Sequence, residues 1–248
     1  MPEVVVSAQG SYGKANCDNM HPFVFINAAM SADGKISTHL RKQVRISGDR
    51  DFHRVDRLRC ETDAIMVGIG TILSDDPSLT VKSEEFQRMR LDSGRDENPV
   101  RVVIDSLAKT PPNADILRKG AGRRIIFVTG SATSERVDAL STSGAEVVVA
   151  GGQDGARVDL AAALGHLHGT GIRRLMVEGG ATLNWSLIER GLVDEIYVYI
   201  GSLVLGGSVA PTLVDGAGFS NRDDAPLLDL ISIDRMDDGF VVKWRVLR

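Results

Sequence analysis

Seven short runs of the chain are almost wholly apolar: FVFINAA (23–29), AIMVG (64–68), VRVVID (100–105), RIIFVTG (124–130), AEVVVA (145–150), RLMVEGG (174–180) and EIYVYIG (195–201). Few polar residues alternate within them, so they predict strands of a parallel sheet covered on both faces. Amphipathic stretches between them predict helices at 49–60, 132–144, 157–169 and 181–191, with Gly144, Gly169 and Gly191 as stop signals. The tail breaks the alternation: LLDLISID, the turn residues MDDG and FVVKWRVLR read as a hairpin that gives the sheet an antiparallel edge. The polar stretch 83–99, closed by Pro99, reads as a surface loop, and residues 1–21 as an N-terminal extension. The expectation is a three-layer α/β fold with a mixed, mostly parallel sheet, forming one domain over 22–248.

Composition narrows the functional classes. With 248 residues, 43% of them apolar and 25% charged, the chain can bury a sizeable core, which excludes disorder. A net charge of −4 leaves no global basic field for nucleic acid or anionic lipid, so any anionic ligand has to be caught locally. Cys17 and Cys60 are too few for a disulfide framework or a cysteine-rich metal site, which suits a reducing compartment. No apolar run approaches the roughly 18 residues of a membrane span. The first residues, with Glu3, Lys14 and Asp18, do not resemble a signal peptide. A cytoplasmic protein without membrane or nucleic-acid partners is expected.

In a parallel sheet, ligands sit beyond the carboxyl ends of the strands, where helix starts point their amides inward. The sharpest such cluster is VEGGATLNW (177–185): a buried strand ends in Glu178, two glycines permit close approach, and a helix begins near Thr182. The glycines alone would equally suit a plain strand-to-helix turn, but a carboxylate directly after a buried strand is costly unless paired or used. GIGTILSDDPSLT (68–80) lacks the third glycine of a dinucleotide fingerprint, having Leu73 there; Asp75-Asp76-Pro77 also suits a capped turn. NAAMSADGKIS (27–37) adds Asn27 and Asp33, and Asp33-Gly34 reads equally as a turn signal. Arg41, Arg45, Arg50, Arg54, Arg57 and Arg59 form a basic stretch that is either a solvated face or a phosphate clamp. Phosphate-loop, nucleophile-elbow and zinc-protease motifs are absent, and His166 and His168 suit a helix end better than a metal, so no metal is expected.

Taken in order, NAAMSADGKIS, AIMVGIGTILSDDPSLTV, NPVRVVIDS, MVEGGATLNWSLIERGLVDEIYVYI and GGSVAPTLVDGAGF resemble the archaeal and fungal reductases of riboflavin biosynthesis, colinearly from about Phe23 to Arg248. The resemblance implies a dihydrofolate-reductase-like fold, a homodimer, and NADPH as hydride donor, with NADH also used by some members. It implies as substrate 2,5-diamino-6-ribosylamino-4(3H)-pyrimidinone 5′-phosphate, whose ribosyl group is reduced to ribityl. Bacterial relatives commonly carry a zinc deaminase and act on the deaminated ring; this sequence has no H-x-E or P-C-x-x-C pattern.

Carried over by motif, Thr71, Asp75, Thr129, Gly180, Ala181 and Thr182 contact the cofactor. Asn27, Ser47, Arg59, Leu79 and Lys82 contact the substrate, with Arg59 and Lys82 on its phosphate, and Asp33 and Glu178 are the candidate catalytic carboxylates. Asn27 stands where bacterial relatives have lysine, and its amide is expected to accept from a pyrimidine amino group. Two alternatives stay open: a reductase of the same fold acting on the deaminated pyrimidine or a pterin-like substrate, and a nucleotide-binding sensor without turnover.

Overall fold

The computed structural model describes residues 21–42, 44–151 and 155–247. In chain order the elements are β1 (Phe23–Ser31), α1 (Asp49–Glu61), β2 (Ala64–Gly68), α2 (Ile69–Asp75), α3 (Glu84–Asp92), β3 (Val100–Ile104), α4 (Asp115–Arg118), β4 (Arg124–Val128), α5 (Ser134–Thr142), β5 (Glu146–Val149), α6 (Leu160–Gly169), β6 (Arg174–Val177), α7 (Ala181–Glu189), β7 (Glu195–Gly201), β8 (Leu228–Met236) and β9 (Gly239–Val246). Cys17 and the extension up to residue 20 lie outside the described residues.

The nine strands form one sheet in the order β5-β4-β3-β2-β6-β1-β7-β9-β8. β1 to β7 run parallel, and β9 pairs antiparallel with both β7 and β8. Side chains alternate between the sheet's two faces, so each central strand feeds two cores. Val24, Ile26, Met66 and Val177 join Leu164 and Leu167 of α6 and Leu183 and Leu187 of α7 on one face. Phe25, Ile65, Val67 and Met176 face Ile116 of α4 and Leu140 of α5, with Val55 and Leu58 of α1 packed against them. This is the expected mixed three-layer α/β arrangement. β7 lies inside the sheet, which explains its unbroken apolar sequence.

The stretch 83–99 is not a plain loop, because it contains α3. Ser83 opens that helix, its hydroxyl accepting from Phe86 N at 3.5 Å, and Glu84 and Glu85 sit in the first turn where the dipole favours them. Phe86 and Arg90 turn inward, at 6% and 2% exposure. Arg90 donates to the carbonyls of Cys60 and Thr62 at 2.9 and 2.8 Å, covering the end of α1. A buried arginine that satisfies backbone acceptors is invisible to a hydrophobic-periodicity reading. Gly169 is the last residue of α6, where the helix is expected to end, and Gly171, at φ +94°, makes the left-handed turn beyond it. Gly144 and Gly191, at φ +86° and +65°, end their helices as expected.

The β8–β9 turn reaches across to α1. Asp237 accepts from the first-turn amides of Arg50 and Asp51 at 3.3 and 3.0 Å, supplying the cap that Gly48 lacks. A Cβ on Gly48 would lie 2.4 Å from Asp237 Cγ, so a larger residue there would push this capping carboxylate out of place.

Candidate active site

Beyond the carboxyl ends of β2, β3 and β6 opens a cleft of about 600 Å³. Two helix starts line it, α2 after Gly68 and α7 after Gly180, and neither glycine cap places a side chain over the first-turn amides. Gly68 N donates to Gly179 O at 2.9 Å, tying the two starts together. A Cβ on Gly180 would sit 3.2 Å from Thr71 Oγ1, so the bare backbone forms a cradle a side chain would fill. Of the six expected cofactor residues, Thr71, Asp75, Gly180, Ala181 and Thr182 line this cleft.

Thr129 does not line it. It is 1% exposed and donates through its hydroxyl to Ser106 O at 2.9 Å, and Ser106 is the lining residue. Burial pushes the Asp75 carboxyl above its ordinary value, partly opposed by the Ser74 hydroxyl. Arg41, of the basic stretch, lines the cleft together with Arg157 and Arg190, which the sequence reading did not single out. A dinucleotide fits these walls, with unpaired amides and Gly180 for its phosphates and Asp75 as an acceptor for a ribose hydroxyl.

On the sheet's other face, Asn27 and Glu178 stand side by side. Ile26 and Val177 are the last residues paired between β1 and β6; Glu178 lies one step beyond the end of β6, and Asn27 lies mid-strand in β1, where it still pairs with Tyr197 of β7. Both are covered by α1, which supplies an arginine to each. Arg59 meets Glu178 side-on, with Nε to Oε1 at 2.7 Å and Nη2 to Oε2 at 2.6 Å, the two side chains 16% and 12% exposed. Burial pulls the Arg59 guanidinium down, but the charge and hydrogen bonds of Glu178 outweigh it and hold the group above its ordinary value. Arg54 donates through Nη2 to Asn27 Oδ1 at 2.9 Å. The Asn27 oxygen expected to accept from a ligand amino group thus already has a donor.

The remaining expected residues take varied places. Lys82, exposed, donates from Nζ to Thr80 Oγ1 at 2.7 Å and Ser78 Oγ at 2.8 Å. Desolvation and the nearby Arg59 charge hold its ammonium below the usual value. Arg59 is already committed, its third nitrogen donating to Thr80 O at 3.0 Å. Leu79 has φ +52° and is buried in the core at 2% exposure, so it offers a ligand no exposed side chain. Ser47 is buried at the entry to α1.

Asp33, in the turn after β1, is exposed and accepts from Ser31 Oγ at 2.5 Å, Leu205 N at 3.1 Å and Gly206 N at 2.7 Å. The Ser31 hydroxyl and the Leu205 amide, aided by Gly206, pull its carboxyl down to about 2. Arg45 pairs with Asp49 at 2.6 Å and lies over the Phe52 ring. His166 and His168 occupy the last turn of α6. Among the described residues no group of three or more His, Cys, Asp or Glu side chains converges.

The architecture is similar to that of proteins of riboflavin biosynthesis known in three dimensions. Acinetobacter baumannii RibD superposes with a TM-score of 0.74 at 22% identity over 93% of this chain, which spans 59% of that one. The Saccharomyces cerevisiae riboflavin biosynthesis reductase Rib7 gives 0.68 at 21% identity, covering 94% and 93%. At such identities the likeness establishes the fold, which is dihydrofolate-reductase-like. Sequence then defines the family: residues 22–242 match the RibD C-terminal domain, and the chain belongs to that family. Two relatives, from Archaeoglobus fulgidus and Methanothermobacter thermautotrophicus, are each 48% identical over 92% of this chain and 100% and 99% of their own. Each is named 2,5-diamino-6-ribosylamino-4(3H)-pyrimidinone 5′-phosphate reductase. The chain is thus an oxidoreductase of riboflavin biosynthesis.

Proposed function

We propose that the protein reduces the ribosyl group of 2,5-diamino-6-ribosylamino-4(3H)-pyrimidinone 5′-phosphate to ribityl, using NADPH. The observation that carries this is the Arg59-clamped Glu178 carboxylate at the end of β6, next to Asn27 of the neighbouring β1 and one residue before the Gly179-Gly180 cradle. Both oxygens of Glu178 are oriented as acceptors. A 2-amino-4(3H)-pyrimidinone presents two adjacent donors, the ring N–H and the exocyclic amino group, which suit such a carboxylate. Deamination replaces the second donor with a carbonyl, and two acceptors then face each other.

Bound NADPH would supply the hydride; the ribosylamine opens to a Schiff base as its N–H proton passes to the ring oxygen, the sugar carbon takes the hydride, and the nitrogen takes up a proton relayed from solvent. The protein's own contribution is alignment of the two partners and exclusion of water. In this reading Glu178 anchors the ring rather than donating a proton, since Arg59 occupies both its oxygens. Asp33 is a positioning residue: its carboxylate fastens the segment after β7 and stays ionised at any working pH. The substrate phosphate falls to Lys82, held ready by Ser78 and Thr80, with Arg59 lending only its field.

The arginines lining the cleft favour the cofactor that carries the extra ribose phosphate, so NADPH is preferred to NADH. Thr129 acts on the cofactor through Ser106. We also infer a homodimer, formed not through β7 but through β8, an edge strand on which Leu228, Leu230 and Ile233 are 44%, 53% and 59% exposed. We infer a cytoplasmic enzyme, one that works where its phosphorylated substrate and cofactor are made and held.

The test is to mix protein, NADPH and the diamino ribosylamine phosphate and follow the absorbance of the reduced nicotinamide. Oxidation with this substrate and little with the deaminated ring supports the reading. Tight NADPH binding without oxidation by either pyrimidine contradicts it.

A further inference from the structure

We propose that Arg54 is a positioning residue that sets the hydrogen-bond polarity of the substrate site by holding the Asn27 amide in one orientation. This rests on the reading above, in which the pyrimidine ring lies against Asn27 and Glu178. Arginine carries donors and no acceptor, so the amide atom facing it has to be the oxygen. The contact from Arg54 Nη2 to Asn27 Oδ1 is 2.9 Å, and Asn27 is only 5% exposed. The amide nitrogen is therefore turned away from Arg54, and Nδ2 makes no hydrogen bond to a described residue. Without the arginine, oxygen and nitrogen are nearly interchangeable in shape and the amide can flip.

Arg54 is itself held. Its Nε donates to Asp51 Oδ1 at 2.8 Å, the side chains being 14% and 2% exposed. The Asp51 amide is in turn capped by Asp237 from the β8–β9 turn. Arg54 Nη1 is buried without a partner among the described residues. A side chain that leaves one buried donor unmatched while keeping another on Asn27 is better explained by the site it serves than by the stability it adds.

Helix α1 thus fixes two groups on neighbouring strands: Arg59 presents Glu178 as an acceptor, and Arg54 presents Asn27 as a donor. The complementary ligand edge has two donors with an acceptor next to them. The 2-amino-4(3H)-pyrimidinone ring has that sequence, its donors flanked by the ring nitrogen on one side and the ring carbonyl on the other. A lysine at 27 would also be a donor but would need no arginine to orient it.

The experiment is a double-mutant cycle on wild type, Arg54→Met, Asn27→Ala and the double variant, with steady-state kinetics on the diamino pyrimidine and NADPH affinity by fluorescence titration. Each single change is expected to raise KM about tenfold, the worth of one hydrogen bond, with kcat and NADPH affinity within about threefold. The double variant is expected to be no worse than either single, because both remove the same contact. Losses that multiply in the double variant overturn the proposal, as does a loss of NADPH affinity in Arg54→Met. Since Arg54→Met strands the Asp51 carboxylate, Arg54→Lys is the second variant. It keeps a donor and a charge on one nitrogen in place of two, and a KM between those of wild type and Arg54→Met is expected. A folded Arg54→Lys with a KM no better than that of Arg54→Met also overturns the proposal. Wild type that binds the pyrimidine without reducing it refutes the underlying reading alone, and the cycle is then read from calorimetric binding constants. Wild type that binds no pyrimidine overturns both.

Discussion

Arg59 and Glu178, 119 residues apart in the chain, meet through two parallel hydrogen bonds of 2.7 and 2.6 Å where α1 crosses the end of β6. A bidentate guanidinium–carboxylate pair fixes direction as well as charge. Half-buried, it is costly to break from one side, because the charge left behind has no partner.

Glu178→Gln should lower kcat/KM for the diamino pyrimidine about a hundredfold, the usual scale for unpairing one member of a desolvated charge pair. NADPH affinity should change by less than about threefold, since the cleft proposed for the cofactor lies on the other face of the sheet. Steady-state kinetics with a parallel NADPH titration checks this. Equal losses in both quantities would count against a substrate role.

Gly180→Ala should do the reverse. Its Cβ would sit 3.2 Å from Thr71 Oγ1 and fill the cradle at the start of α7. NADPH affinity should fall about tenfold or more, while substrate KM at saturating NADPH stays within about threefold. Thr71→Ser would not relieve the loss, because the hydroxyl remains. Fluorescence titration of both variants decides it, and unchanged NADPH affinity in Gly180→Ala would remove the cradle from the account.

Asp33 offers a prediction about pH. Its folded value of about 2 lies below the ordinary 3.8, so its contribution to stability is complete above about pH 4 and is lost as pH falls through 2. Between pH 5 and 8 it does not titrate. Asp33→Asn should therefore leave the shape of the pH–rate profile unchanged there, while loosening the segment after β7, seen as faster proteolysis near Leu205 and Gly206. A limb near neutrality that disappears in Asp33→Asn would restore it as an acid catalyst.

Much of the fold can be read from local sequence. β2 and β7 are short unbroken apolar runs whose ends coincide with the observed strands, and Gly144 and Gly191 mark helix ends through backbone conformations only glycine adopts easily. α3 escaped because its inward face uses Arg90, a charged residue satisfied by carbonyls contributed from α1. The site was legible as a set of strand ends, which is a topological rule, but not as a set of pairings. Nothing in the spacing links Arg59 to Glu178 or Arg54 to Asn27, since each pair is made by packing a helix on a sheet. Arg54 stood out only as one of six arginines, and Thr129 only as a strand end, its hydroxyl turned to Ser106 rather than to the cleft.

The exposed apolar edge at β8 predicts a dimer that charge should disrupt. Leu230→Glu combined with Ile233→Lys should halve the mass seen by sedimentation at micromolar concentration without unfolding the chain, as both side chains are already more than half exposed. A monomeric wild type would contradict the inferred dimer.

The central claim is hydride transfer to the sugar of the diamino pyrimidine, and isotope transfer tests it most directly. With NADPH deuterated at the nicotinamide carbon that gives up hydride, one deuterium should appear on the former anomeric carbon of the ribityl product, by mass spectrometry and proton NMR. Product without deuterium at that carbon from cofactor labelled on either face, or no ribityl product while NADPH remains bound, would contradict the account.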